Sequence, residues 1–133
     1  LCEVNYSGRR VLVVEDSVLN REIVTDLLKD MGFEVEGAGN GVVAVEKVES
    51  SGDGYYDMIL MDLQMPYMDG YEATRKIRRM EQNGRTKTPI VAMTANAYAE
   101  DGKKAMEAGM DGYITKPFDM GSFILTMRQV MGK

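Results

Sequence analysis

From Val11 onward, short apolar runs alternate with longer amphipathic stretches, and this alternation constrains the fold more than any other feature of the chain. The apolar runs cover residues 11–14, 33–38, 58–61, 90–93 and 113–115, which we label β1 to β5. The stretch between Ser17 and Gly32 has helical spacing, with Leu19, Ile23 and Leu27 recurring every four residues. Val24, Leu28 and Met31 stand beside that row, while Arg21, Glu22, Asp26, Lys29 and Asp30 face away from it. Ser17 is placed to cap this helix, α1, and Gly32 to end it. The same reading gives helices near 41–51, 70–81, 98–109 and 119–131, α2 to α5. Strand–helix alternation of this kind predicts an α/β fold, a (βα)5 unit whose parallel sheet is covered by helices on both faces.

The strands also differ in ways that place them. β1, β3 and β4 are continuously apolar, as strands buried on both faces are, whereas β2 reads Phe33-Glu34-Val35-Glu36 and suits an edge. β5 is short and polar-flanked, so it suits the other edge. Edges at β2 and β5 are what the strand order 2-1-3-4-5 requires. In such a sheet, ligands bind outside the carboxyl ends of the strands, where the order reverses between β1 and β3. The expected division is a tail at 1–9, one domain over 10–131 and a short end at 132–133. Without an initiator Met, the chain reads as a piece of something longer.

Composition removes whole classes of function. The chain of 133 residues contains no His, so a Ser-His-Asp or Cys-His catalytic set, a His-ligated zinc and a phosphohistidine are all impossible within it. Its single Cys, Cys2, excludes an internal disulfide and fits a reducing compartment. Sixteen Lys and Arg against 21 Asp and Glu leave a net charge of −5, which argues against direct binding to nucleic acid or an anionic membrane. No apolar run approaches the roughly 18 residues of a membrane span. The expected location is cytoplasmic, including the cytoplasmic part of a membrane-bound protein.

The chemistry lies at the strand ends. Glu15 and Asp16 follow β1, Asp62 follows β3, Thr94 follows β4, and Lys116 then Pro117 follow β5. The predicted topology gathers these residues to one rim although the first and last are about 100 positions apart. Crowded carboxylates need a cation, and hard oxygen ligands with room for water favour Mg²⁺. A carboxylate beside Mg²⁺, with a hydroxyl and an ammonium near it, suits phosphoryl transfer, with Asp62 as the nucleophile that forms an acyl phosphate. Lys116 and Thr94 are suited to hold the other phosphoryl oxygens.

The segments Val11-Leu12-Val13-Val14-Glu15-Asp16, Met61-Asp62-Leu63-Gln64-Met65-Pro66-Tyr67-Met68-Asp69-Gly70, Met93-Thr94-Ala95 and Lys116-Pro117-Phe118 resemble the receiver domain of two-component response regulators. The resemblance covers about residues 9–131 and implies a flavodoxin-like (βα)5 three-layer sandwich. It implies that Asp62 is the phosphoacceptor, loaded from a phosphohistidine on a histidine kinase or a histidine phosphotransfer domain. By the same resemblance Asp16 ligates the metal directly, Glu15 acts through water, and Gln64 offers its backbone carbonyl. Thr94 and Tyr113 match the switch hydroxyl and switch aromatic, and the bond before Pro117 is expected to be cis. Such a domain catalyses its own phosphorylation and dephosphorylation.

The spelling around Asp62 and Met93-Thr94-Ala95-Asn96-Ala97 is most like receivers of hybrid histidine kinases, the alternative being a stand-alone response regulator. Phosphorylation is expected to shift the α4-β5-α5 face, which is also the expected surface for a homodimer. Two other readings compete. Gly39-Asn40-Gly41-Val42-Val43-Ala44 fits a dinucleotide-binding G-x-G-x-x-A, but it follows an edge strand and leaves Glu15, Asp16, Thr94 and Lys116 without roles. A Mg²⁺-dependent phosphohydrolase shares the chemistry but usually carries a second acid where this chain has Gln64.

Overall fold

The computed structural model describes residues 8–63, 65, 68–84, 87–94, 99–115, 125, 126 and 128–130. Strands β1 Arg10–Val14, β2 Glu34–Ala38, β3 Met58–Asp62, β4 Ile90–Thr94 and β5 Gly112–Thr115 form one sheet of order β2-β1-β3-β4-β5. Every neighbouring pair is parallel. The fold is therefore the flavodoxin-like arrangement expected, with β1, β3 and β4 inside and β2 and β5 at the edges. β3 and β4 are buried along their whole length, as strands covered on both faces must be.

The helices are α1 Val18–Asp30, α2 Gly41–Ser50, α3 Gly70–Gln82 and α4 Ala99–Ala108. Residues 125, 126 and 128–130 are also helical, while the rest of the predicted 119–131 helix lies outside the described residues. Three helices start on a side chain that accepts a backbone N–H: Ser17 for α1, Asn40 for α2 and Asp69 for α3. α1 ends where Gly32 takes a φ of 103°, letting the Phe33 amide donate to the Leu28 carbonyl at 3.1 Å and the Gly32 amide to that of Lys29 at 3.0 Å.

Two apolar layers sandwich the sheet. Leu12, Val14, Ile59, Met61, Ile90 and Ala92 face α2 and α3, and Val11, Val13, Met58, Leu60, Val91 and Met93 face α1. Met58, Met61 and Met93 fill this core, as thioethers do where the packing is irregular.

α1 departs from its sequence pattern. Val24 and Leu28 are buried, but Val18, Leu19 and Ile23 are exposed, at 58%, 67% and 56%. Each i to i+4 step turns about 40° around a helix of 3.6 residues per turn. The row from Leu27 back through Ile23 to Leu19 thus winds off the face that meets the sheet.

Candidate functional site

Parallel pairing brings the carboxyl ends of β1, β3 and β4 to a common rim. Just beyond β1, the Glu15 amide donates to the Ala38 carbonyl of β2 at 3.0 Å, and Asp16 begins the turn into α1. Asp62 is the last residue of β3 and Thr94 the last of β4. One carboxylate oxygen from each of Glu15, Asp16 and Asp62 falls in a group whose members all lie within 4.8 Å of one another.

Burial makes that cluster costly on its own. Glu15 is 1% exposed and Asp62 6%, while Asp16 is open to solvent. Carboxylates withdrawn from water and held close together repel unless a cation compensates them. The Ser17 amide donates to Glu15 Oε2 at 3.1 Å and so meets part of the charge on Glu15. An all-carboxylate donor set, with neither sulfur nor imidazole, matches a hard cation such as Mg²⁺ and not zinc or copper.

Neighbouring elements hold the rim in shape. The Leu63 amide donates to the Met93 carbonyl at 3.2 Å, so the β3–α3 connection runs beside the end of β4 and buried Thr94. Gly70, the first residue of α3, packs against the Asp62 carbonyl so closely that a Cβ there would collide with it. Met68 lies over Gly41, where a Cβ would stand 2.5 Å from the Met68 carbonyl oxygen. Gly41 thus serves the close passage of the loop after Asp62. That accounts for the Gly39-Asn40-Gly41 motif without a bound dinucleotide, and Asn40 is spent capping α2.

The structure therefore brings together four of the predicted site residues: Glu15, Asp16 and Asp62 in one cluster, and Thr94 on the adjoining strand end. Tyr113 lies on β5 opposite Ala92 and is 41% exposed. Its ring rests on α4, where a Cβ at Gly102 would be 3.0 Å from Tyr113 Cε1. Gln64, Lys116 and Pro117 lie outside the described residues. Sequence reasoning set Arg21 on the solvent side of α1, yet its Nη1 donates to the Glu15 carbonyl at 2.7 Å. The signal available for it was the pair of glycines, Gly37 and Gly39, across which it lies. Among the described residues, no helix is long and apolar enough to cross a membrane.

Comparison with known proteins agrees with this geometry. The model of the response regulator receiver domain matches residues 11–128. Hybrid signal transduction histidine kinase B of Dictyostelium discoideum is 41% identical over 127 residues, covering 89% of this chain but only 6% of the kinase. Among solved structures, the receiver domain of a sensor histidine kinase from Pseudomonas aeruginosa PAO1, with a magnesium ion coordinated in its active site cleft, superposes with a TM-score of 0.82. That pair is 35% identical, and the match covers 96% of this chain and 100% of the other. A Saccharomyces cerevisiae response regulator receiver, co-crystallised with its histidine phosphotransfer signaling protein, matches at a TM-score of 0.84 and 31% identity, covering 95% and 90% of the two chains.

Proposed function

The chain belongs to the response regulator receiver family, and from that premise we propose that Asp62 accepts a phosphoryl group from a phosphohistidine carried outside this sequence. The observation that carries the proposal is the meeting of Glu15, Asp16 and Asp62 within 4.8 Å at the ends of β1 and β3. Glu15, Asp16, Asp62 and the Gln64 carbonyl would hold Mg²⁺. Bound there, the metal would supply positive charge against the oxygens of the incoming phosphoryl group.

In the transfer, a carboxylate oxygen of Asp62 attacks phosphorus. The O–P bond forms as the donor's N–P bond breaks, and the imidazole leaves with its electron pair and takes a proton from solvent. Thr94 and Lys116 orient the phosphoryl oxygens. Later attack by water on phosphorus releases phosphate and returns Asp62 to its carboxylate. With no His in the chain, the donor is a histidine kinase or phosphotransfer domain. Support for a hybrid-kinase parent comes from the relatives, of whose length this chain spans a small part. Such a parent would place the domain in the cytoplasm.

Phosphorylation adds charge and acceptor oxygens at the rim. Thr94 moves toward them, Tyr113 leaves its seat on Gly102 for the space vacated, and the α4-β5-α5 face is biased between two packings. That face is also where we place self-association.

The test is intact mass after incubation with Mg²⁺ and acetyl phosphate, beside Asp62→Asn. The expected result is one phosphoryl group on the parent, none with EDTA and none on the variant. A parent that gains nothing, yet still fails when supplied with a phosphorylated histidine phosphotransfer protein, would overturn the assignment.

A further inference from the structure

Gly37 of β2, Gly39 just after it and Arg21 of α1 meet just behind the acidic rim. Neither Gly37 nor Gly39 is among the glycines with a left-handed backbone, so conformational freedom is not their use. What they lack is a Cβ, and Arg21 fills that space. A Cβ on Gly37 would stand 3.1 Å from Arg21 Cδ and 3.3 Å from Nε, and one on Gly39 would stand 3.7 Å from Nη1.

Laid across the strand in this way, the Arg21 stem delivers Nη1 to the Glu15 carbonyl at 2.7 Å. Ala38, between the two glycines, accepts from the Glu15 amide at 3.0 Å. The Ser17 amide holds the Glu15 carboxylate at 3.1 Å. Glu15 is thus tied at its amide, its carbonyl and its carboxylate, and of these three ties only Arg21's is made by a side chain. The carbonyl it holds belongs to the peptide that joins Glu15 to Asp16, so its orientation sets where both acids point.

We infer that Arg21, seated on Gly37 and Gly39, is a positioning residue that fixes the Glu15–Asp16 peptide so that both carboxylates converge on Asp62. The inference rests on reading those three acids as a Mg²⁺ site. Geometry and charge predict opposite effects, which makes the role separable. A guanidinium near an acidic cluster repels a divalent cation, so by Coulomb's law alone its removal would tighten Mg²⁺ binding. Loss of positioning would weaken it, by about tenfold for a group that orients a ligand without touching the metal.

The experiment is Mg²⁺ titration of the whole chain by calorimetry, with the amide resonances of Glu15, Asp16 and Ser17 recorded before metal is added. Arg21→Met keeps the stem but loses the donor, Arg21→Lys keeps a donor and the charge, and Gly37→Ala crowds the stem with every charge in place. Expected are about tenfold weaker binding in Arg21→Met and Gly37→Ala, shifted amide resonances at Asp16 in the metal-free proteins, and near-parental binding in Arg21→Lys. Equal or tighter binding in Arg21→Met would overturn the role of Arg21 while leaving the metal site standing. A parent that binds no Mg²⁺ would instead overturn the site, and this inference with it. Should Arg21→Met not fold, Gly37→Ala carries the same comparison.

Discussion

Glu36 illustrates how a single residue can serve an edge strand from the solvent side. Its two carboxylate oxygens accept from the Tyr55 hydroxyl at 2.6 Å and the Tyr56 hydroxyl at 2.8 Å, with Lys47 and Arg10 each 3.9 Å away. Arg10 stacks on the Tyr55 ring, 4.1 Å from its centroid. The Tyr55 hydrogen bond is the main reason the Glu36 carboxyl is held below its ordinary pKa, and the Tyr56 bond and the two cations add to it. Burial and the Glu36 bond push the Tyr56 phenol well above its ordinary range. Because the folded carboxyl is the stronger acid, its stabilisation is present above the unfolded Glu value of about 4.3 and is lost as pH falls through the folded value. Glu36→Gln is expected to cost less than about 1 kcal/mol at neutral pH, since the group is a third exposed. In urea melts, that deficit should shrink as the pH is taken below about 4; a deficit constant with pH would assign the effect to packing.

At the level of elements, α1 carries the next expectation. Val18, Leu19 and Ile23 are exposed apolar residues in the first two turns after Asp16. On the proposed transfer, we expect the partner that brings a phosphohistidine to Asp62 to dock over this corner, so apolar truncation there should slow transfer from the partner without touching the chemistry. Leu19→Ala with Ile23→Ala is expected to weaken phosphotransfer-protein binding by about 2 kcal/mol in a calorimetric titration, with loading by acetyl phosphate unchanged. An equal loss from both donors would mean that the rim itself was disturbed.

The same helix marks where sequence reasoning stopped. Its start at Ser17 and its stop at Gly32 were legible because caps are local, and β2 and β5 were legible as edges because a strand's burial shows in its own residues. The buried face of α1 was not. Leu19 and Ile23 follow the apolar rhythm as faithfully as Leu27, and only the reach of the sheet decides which of them it covers. Arg21 was hidden for a related reason: its partners are a carbonyl and two missing methyls at and just beyond the end of β2, none of which has a signature in α1. Glu15, Asp16, Asp62 and Thr94 were readable because each ends or directly follows an apolar run, and the strand order then brings them together.

Across the molecule, the end opposite the acidic rim is fastened by Arg78. Its guanidinium donates to the Gly109 and Thr88 carbonyls, each at 2.8 Å, and pairs with Glu81 and Asp111, also at 2.8 Å. Asp111 in turn accepts from the Ile90 amide at 2.9 Å, and Glu81 from that of Thr88 at 2.8 Å. One side chain thus joins the last turn of α3, the start of β4 and the approach to β5. Arg78→Met leaves Glu81, 11% exposed, without its cation and leaves Asp111 to Lys87 alone, 2.9 Å away, and is expected to cost about 3 kcal/mol in a denaturant melt. Mg²⁺ affinity should stay at the parental value, because the network sits at the far ends of the strands; a loss of affinity would show that the two ends are coupled.

Glu34 and Glu36 have one more consequence. Among the described residues β2 is an edge of the sheet, and an open edge is a template on which another chain can polymerise. A second copy docking there would set its own Glu34 and Glu36 against these, trading the solvent around Glu34 for like charge. The acids that betray β2 as an edge in the sequence thus also work against fibre growth on that rim, as charged side chains on edge strands do.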